Sequence, residues 1–401
     1  MRIGMMLDMY KPHISGVTNY VALNKRVLEA QGHTVFVFTF GGEDYEDDEL
    51  HVLRSPGLPL SVKDTGLQIN LRYPLAAQRK VRSMDVVHVQ HPFLSGQLAL
   101  RYARARGVPV IFTNHTRYDL YAQHYLPSFI PGAVSQTFLQ SYLPSFCQRC
   151  DLVIAPSAGV ASVLRDLGVT AEVKVIPNGI DLSPFQVGTR TRTRAEVGLP
   201  EHDVVLMYLG RLGPEKNLAF LLRAFAGVAA ACPGVVLALV GEGPETDNLR
   251  DQAQKAGVGD RVCFLGQVPY VDVPATLRLA DVFVTASQTE VHPFSLIEAM
   301  AAGLPALGIL SPGVGDTLVD GQNGSLSSPD LAVFTAKLVR LVMEPALRRG
   351  LAEKALESSR QYDSHRTAQL VLAEYERLAG HRTQRLRGWS GVGQRLRQLW
   401  P

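Results

Sequence analysis

The sequence predicts an α/β protein of two doubly wound domains, each with a parallel sheet, that face each other across a cleft. Three observations support this: short β-branched runs alternate with helical patterns, the alternation lapses once near mid-chain, and it then resumes. Parallel strands are buried on both faces, which explains why these runs are apolar throughout. At roughly 150 residues per domain, a chain of 401 residues suits two domains.

Strand-forming runs define the first Rossmann-like domain, predicted over residues 1–177. They lie at 3–7, 34–40, 85–90, 109–114, 151–155 and 173–177, and helical patterns separate them. A polar stretch rich in turn residues follows at 178–200. It predicts the linker between the domains.

A second series of runs predicts the other Rossmann-like domain, over residues 201–362. These runs lie at 204–210, 235–240, 261–265, 281–286 and 305–310. The segment 363–379 has the apolar spacing of a helix that packs back on the first domain, so the chain is expected to cross twice. Ligands of open α/β sheets bind beyond the carboxyl ends of the strands, which predicts a site between the domains.

Composition excludes several classes of protein. With 46% hydrophobic and 19% charged residues, the chain is neither disordered nor fibrous. The apolar stretch 227–241 is shorter than the ~20 residues that a membrane-spanning helix needs. The first ten residues favour a strand over a signal peptide, which predicts a cytoplasmic protein. Four cysteines are too few for a disulfide framework and predict reduced thiols.

The net charge of +3 arises from basic residues at the end of the chain. Six arginines and no acid follow Glu376, which leaves a net charge of −3 on residues 1–376. In the tail, 380–401, apolar residues that include Trp389 and Trp400 fall on one side of a helical wheel. Such a basic amphipathic tail predicts a weak contact with an anionic membrane surface. The alternative is a frayed, solvated terminus.

One predicted turn carries two cations between a strand and a helix. The segment Gly210-Arg-Leu-Gly-Pro-Glu-Lys-Asn217 places Arg211 and Lys216 near the positive end of a helix. Arg grips phosphate oxygens with two hydrogen bonds and Lys adds a point charge, so the pair suits a diphosphate. The alternative is two surface cations on a loop.

A second motif carries two glutamates separated by seven residues, Glu290 and Glu298, with Ala-Met-Ala-Ala-Gly-Leu-Pro behind them. The motif resembles the signature of retaining glycosyltransferases of family 4, which have the GT-B fold. The resemblance extends to the cationic turn, to Val-Gly-Glu-Gly-Pro at 240–244, to Pro-Asn-Gly-Ile-Asp at 177–181 and to Ser-Gly-Val at 15–17. It covers residues 1 to 380.

The resemblance implies a role for each of these groups. Glu298 would accept hydrogen bonds from ribose hydroxyls and Glu290 from the transferred sugar, as an ionised carboxylate can. Arg211 and Lys216 would hold the phosphates, and the Gly16 amide would hold the distal phosphate. The alternative for the glutamates is a pair of exposed helix carboxylates.

This chain departs from the family pattern beside Glu290. His292-Pro293 stands where members usually have Phe-Gly, and proline brings no amide proton. The amides of Phe294 and Ser295 remain as donors to the sugar, and His292 is a candidate for a side-chain contact. The motif therefore still predicts that a sugar binds here, but it says less about which sugar.

Three histidines follow strands of the first domain. His115 is the candidate on the acceptor side, because a similarly placed histidine of the family helps to position the sugar and an imidazole can donate to a hydroxyl. The alternative is a core histidine that bonds within the protein. His88 and His91 end another strand, and of these His91 is a candidate for the acceptor site.

Aromatic residues follow His115 at helical spacing, among them Tyr118, Tyr121 and Tyr125. They form either a core face or a face that dips into the lipid interface, where Tyr is favoured. The segment 115–125 resembles the acceptor segment of monoglycosyldiacylglycerol synthases within the family. Lipid is therefore the expected acceptor.

Together these patterns predict a retaining hexosyltransferase that moves glucose from UDP-glucose to diacylglycerol at the inner face of the cell membrane. No Asp-x-Asp occurs, so no metal or other cofactor is expected besides the nucleotide sugar. The predicted partners are a nucleotide sugar, a lipid acceptor and an anionic membrane surface, and no nucleic acid. Two alternatives stay open: the same chemistry on phosphatidylinositol or a soluble sugar, with GDP-mannose or another donor, and a non-catalytic lipid or nucleotide-sugar binding module.

Overall fold

The strands of the first domain form one parallel sheet. The structure, a computed structural model, describes residues 1–13, 15–41, 44–57, 72–118, 120, 132–185 and 192–398. In these residues the strands are β1 (Arg2–Met6), β2 (Thr34–Phe40), β3 (Val52–Ser55), β4 (Val86–Val89), β5 (Val110–Thr113), β6 (Leu152–Ala155) and β7 (Val173–Val175). Their order is β3-β2-β1-β4-β5-β6-β7. The six strands that the sequence predicts for this domain are confirmed.

A second parallel sheet forms the other domain. Its strands are β8 (Val204–Leu209), β9 (Val235–Val240), β10 (Val262–Gly266), β11 (Val282–Thr285), β12 (Ala306–Ile309) and β13 (Ser325–Ser327), in the order β10-β9-β8-β11-β12-β13. The sequence does not predict β3 or β13, because both are short, carry polar residues and lie at sheet edges. The predicted pair of doubly wound parallel sheets is confirmed.

Helices cover both faces of each sheet. Those of the described residues are α1 (Gly16–Ala30), α2 (Leu75–Arg82), α3 (Leu94–Tyr102), α4 (Gly132–Cys147), α5 (Ala158–Asp166), α6 (Leu218–Ala231), α7 (Thr246–Lys255), α8 (Val273–Leu277), α9 (Phe294–Ala301), α10 (Pro312–Thr317), α11 (Leu331–Met343), α12 (Pro345–Ser359) and α13 (Ser364–Gln398). In β9, Val235 and Leu237 pack in one core and Val236 in the other, because successive strand residues face opposite ways. Burial on both faces explains the unbroken apolar runs.

The two crossings between the domains lie side by side. The Ile180 amide donates to the Tyr362 carbonyl at 2.8 Å, and the Ser364 amide donates to the Ile180 carbonyl at 2.9 Å. Beyond this point α13 packs on α1 and β4 of the first domain, where the Tyr375 hydroxyl lies 2.6 Å from Nδ1 of His88. The two chain segments that connect the domains are thus hydrogen-bonded to each other.

The end of the chain differs from the prediction. The sequence predicts a tail, 380–401, set apart from the last helix, whereas α13 continues without a break to Gln398. Extending an existing helix avoids the costly nucleation step, so the glycines of this stretch weaken the helix without ending it. Trp389 lies on this part of α13, and Trp400 lies outside the described residues. Within the described chain, no helix is long and apolar enough to cross a membrane.

The prediction for the aromatic residues after His115 also needs correction in part. Tyr118 is 6% exposed and belongs to the core of the first domain, where its ring meets Phe93 edge-on at 5.4 Å. Tyr142 stacks on Phe93 at 5.5 Å, and Phe146 is fully buried. The interpretation of Tyr118 as a lipid contact is therefore wrong. Tyr121 and Tyr125 lie outside the described residues.

Candidate functional site

A cleft of about 1610 Å³ separates the two sheets, at the carboxyl ends of their strands. Its first wall comes from one face of α1 and from His91 and His115, which follow β4 and β5. Its second wall comes from the loops after β8, β9 and β11 and from the start of α9. The structure thus brings the residues predicted from both domains to one cavity.

An ion pair lies at the centre of the second wall. Lys216 Nζ donates to Glu290 Oε1 at 2.7 Å, and both side chains are mostly buried. Their loops follow β8 and β11, which are neighbours in the sheet. Burial acts to raise the pKa of Glu290, but the Lys216 ammonium outweighs it and holds that pKa below its ordinary value. The two groups are therefore charged, and each neutralises the other.

Backbone contacts hold the cationic turn in place. Thr289 Oγ1 donates to the Glu215 carbonyl at 3.3 Å, and Asn217 Nδ2 donates to the Ala286 carbonyl at 3.2 Å. On the other side, Gly241 has φ of +129°, and a Cβ there would lie 2.0 Å from the Gly210 carbonyl oxygen. Only glycine permits this close approach, which explains one glycine of the motif at 240–244. Arg211 is exposed at the rim of the same cleft.

Glu298 is nearly inaccessible on the buried face of α9, 4% exposed. Burial raises its pKa to about 7, although a hydrogen bond from the Tyr270 hydroxyl works in the opposite direction. Tyr270 belongs to a turn after β10, and the sequence did not single it out. Its position at the carboxyl end of a strand is the signal that could have found it.

Two helix N-termini meet across the cleft. Gly16 begins α1, and a Cβ on it would lie 3.2 Å from the ring of Phe294, the first residue of α9. Ser15 caps α1 by accepting from the Thr18 amide, whereas Pro293 offers α9 no side-chain cap. The first amides of α9, at Phe294 and Ser295, therefore lack intrahelical partners at the cleft wall. Amides and positive helix ends of this kind suit an anion.

His292 lies in the wall between the cleft and the paired crossing of the chain. It is 5% exposed, and its ring meets that of Tyr362 edge-on at 5.0 Å. Burial lowers its pKa to about 3, so the imidazole is neutral. Among the described residues its buried Nδ1 has no hydrogen-bond partner. Because an unmet lone pair costs less than an unmet N–H, the proton belongs on Nε2.

The two histidines of the first wall, His115 and His91, differ in which ring nitrogen bonds within the protein. His115 Nε2 lies 2.7 Å from Gln90 Oε1, and Gln90 Nε2 donates to the His88 carbonyl, so His115 carries its proton on Nε2. Its Nδ1 is then an acceptor, which differs from the donor expected from the sequence. His91 Nδ1 accepts from the Asp8 amide at 3.0 Å, which leaves its Nε2–H as a donor. Burial lowers the pKa of His115 well below its ordinary value and that of His91 as well.

His88 is a core residue and does not line the cleft. Its two nitrogens lie 2.6 Å from the Tyr375 and Thr113 hydroxyls. Gln90, which orients His115, follows the same strand and could have been found by its strand-end position. In the described part of the chain, no group of three or more His, Cys, Asp or Glu side chains is placed to hold a metal ion.

Two family models match this chain. Residues 14–184 match the model described as Glycosyltransferase Family 4, and residues 189–358 match Glycosyl transferases group 1. The boundary between the matches falls within the linker predicted at 178–200.

Curated relatives match over almost the whole length. The chain is 31% identical to an alpha-monoglucosyldiacylglycerol synthase of Streptococcus pneumoniae, over 93% of this chain and 86% of the relative. It is 29% identical to the enzyme of the same name from Acholeplasma laidlawii, over 90% and 93%. Among solved structures, Anabaena Alr3699/HepE in complex with UDP and glucose superposes with a TM-score of 0.74 at 20% identity, over 93% of this chain and 99% of that one.

The likeness to the solved structure concerns the fold, in which two parallel-sheet domains face a cleft. The family models and the relatives concern the sequence, and the range matched by the second model contains both glutamates and the cationic turn. These findings confirm the resemblance and exclude a non-catalytic binding module. The chain belongs to glycosyltransferase family 4 and is an enzyme with the GT-B fold.

Proposed function

We propose that this enzyme transfers glucose from UDP-glucose to diacylglycerol, with retention of the anomeric configuration. The observation that carries the donor half is the cleft wall in which Lys216, Glu290 and Glu298 lie together. The acceptor half is supported by the two relatives, which are named as monoglucosyldiacylglycerol synthases and match this chain almost end to end. A neighbour in fold with UDP and glucose bound supports the choice of donor.

In this proposal the donor takes over contacts that the protein makes with itself. Ribose hydroxyls replace the Tyr270 hydroxyl at Glu298, and the sugar replaces the Lys216 ammonium at Glu290. Lys216 and Arg211 then hold the phosphates, together with the amide of Gly16. No charge is left buried without a partner, because each exchange supplies a new one.

The sugar lies against the start of α9 in this arrangement. The amides of Phe294 and Ser295 face its hydroxyls, and His292 Nε2–H supplies the donor that Pro293 lacks. On the other wall, His115 Nδ1 accepts from a hydroxyl and His91 Nε2–H donates to one. The acceptor approaches along this wall, beside α1.

We propose that charge developing on the leaving diphosphate is stabilised by Arg211, Lys216 and the helix ends, without a metal ion. A donor phosphate oxygen on the same face as the acceptor takes the acceptor proton. The basic end of α13 and the residues after it hold the enzyme at the inner face of an anionic membrane, where Trp389 and Trp400 meet the lipid interface.

The function is tested by identifying the product. Purified enzyme with UDP-glucose and diacylglycerol vesicles should yield an α-linked monoglucosyl lipid, equally with and without EDTA. Parallel reactions replace the donor with GDP-mannose or the acceptor with phosphatidylinositol or a soluble sugar. A product only in one of those reactions rejects the proposed substrates, and loss of activity in EDTA that magnesium restores rejects metal-free transfer.

Lys216→Ala should lower kcat by roughly a hundredfold, because it removes a charge that stabilises the leaving diphosphate. Steady-state kinetics with UDP-glucose measure this. Lys255→Ala, which removes an exposed lysine of the same domain, is the matched control and should leave kcat unchanged. A near-normal kcat for Lys216→Ala would remove this residue from the mechanism.

Binding of UDP-glucose should weaken as pH falls through 7, the raised pKa of Glu298. Only the ionised carboxylate accepts from both ribose hydroxyls, and about a tenth of it is ionised at pH ~6, so the Kd should rise about tenfold between pH ~8 and ~6. Calorimetry with UDP-glucose is suited to this, since its phosphates do not titrate in that range. Glu298→Gln should bind weakly at both pH values, and an unchanged slope in that variant would assign the titration to another group.

Deletion of residues 382–401 should weaken binding to vesicles that contain phosphatidylglycerol, and less so to neutral ones, because it removes basic and aromatic residues together. Flotation at increasing salt measures the difference. The double variant Arg104→Gln/Arg106→Gln, which removes exposed charge from the first domain, should bind as the wild type does. Equal binding of the truncated and full-length enzymes would show that the tail is not the membrane contact.

A further inference from the structure

A contact between the domains lies outside the cleft, at the start of α5. The Gly159 amide of the first domain donates to Oδ2 of Asp316, on α10 of the second domain, at 2.6 Å. Ser157 caps the same helix by accepting from the Val160 amide at 3.3 Å. The first amides of a helix have no intrahelical partner, so a carboxylate from the other domain completes the cap of α5.

The approach of the two helices is close. A Cβ on Gly159 would lie 2.9 Å from Cα of Pro312, at the start of α10, and 3.0 Å from Asp316 Oδ2. Backbone of one domain therefore touches backbone of the other, which only glycine permits at this point. We name this contact of Gly159 with Pro312 and Asp316 the clasp.

The other side of α10 supports the loop that carries Glu290. The Gly313 amide donates to the Glu290 carbonyl at 3.1 Å, and a Cβ on Gly313 would lie 2.5 Å from that oxygen. The next residue of the loop, Val291, is 8% exposed and packs in the core cluster of the first domain. The loop is thus held between α10 and the first domain.

We propose that Asp316 is a positioning residue for glycosyl transfer, which acts through α10 on Glu290. When the domains close, the Asp316 carboxylate fixes α10 against α5, and α10 holds the loop that presents Glu290 to Lys216 and to the sugar. Closure of the domains therefore also places Glu290 in the site. The inference concerns the donor site of this family and holds for any sugar or acceptor.

Kinetics of Asp316 variants test the proposal. Asp316→Ala should lower kcat for UDP-glucose about fivefold, the loss expected for one capping hydrogen bond, with little change in KM. Asp316→Asn keeps an acceptor oxygen and should recover most of that loss. Asp330→Ala is the matched control, because Asp330 caps α11 within one domain by accepting from the Val333 amide. Full kcat in Asp316→Ala, or no recovery in Asp316→Asn, would overturn the proposal.

Hydrogen exchange of the donor-free enzyme tests it independently of the substrate. In both Asp316→Ala and Gly159→Ala, amides of residues 286–292 and of Gly313 should exchange about fivefold faster than in the wild type. Asp330→Ala should speed exchange at the start of α11 alone. If faster exchange is confined to α5, the clasp does not reach Glu290 and the proposal is rejected. Should the wild type not turn over UDP-glucose, the proposed substrates are wrong, and this comparison still decides the role of Asp316.

Discussion

The Lys216–Glu290 ion pair is the interaction around which the rest of the site is arranged. It joins the loops after β8 and β11, where the strand order of the second sheet reverses. In the first sheet the order reverses between β1 and β4, and Gly16 and His91 follow those two strands. Loops diverge at such a point and leave a crevice. Because the two crevices face each other, they form one cleft that groups from both domains line.

Contacts between the domains border this cleft on two sides. Gly16 meets Phe294 on one side of the cleft, and Gly159 meets Pro312 on another. Both close approaches are made by glycines: a Cβ at position 159 would meet the Pro312 backbone at 2.9 Å, and one at position 16 would press on the Phe294 ring at 3.2 Å. The paired crossing at Ile180 and Tyr362 joins the domains through a backbone hydrogen bond. Charged groups that pair with each other limit the cost of burying such a site.

The sequence predicts whatever is local or repeats at a fixed spacing. Buried strands are apolar runs, so eleven of them could be found, while the short polar edge strands β3 and β13 could not. The two glutamates were predicted because their motif resembles the family signature. Tyr270 and Asp316 were not, because each acts on a residue far away in the chain, and no local pattern encodes that contact. Tyr118 has the spacing of either a core face or a lipid face, and only packing distinguishes the two.

Two histidines of the first wall bear on where the acceptor proton goes in the proposed reaction. The second wall carries Lys216, Arg211 and two carboxylates, whereas burial keeps His91 and His115 of the first wall neutral. Neutral imidazoles suit a neutral hydroxyl as acceptor. These histidines are also poor bases, because an imidazole whose pKa lies below its ordinary value gains little from taking a proton near pH ~7. We therefore propose that the acceptor proton goes to an oxygen of the donor diphosphate, whose basicity rises as its bond to the sugar breaks. In this proposal the histidines orient the acceptor hydroxyl on the face from which the diphosphate leaves, and the donor supplies the base.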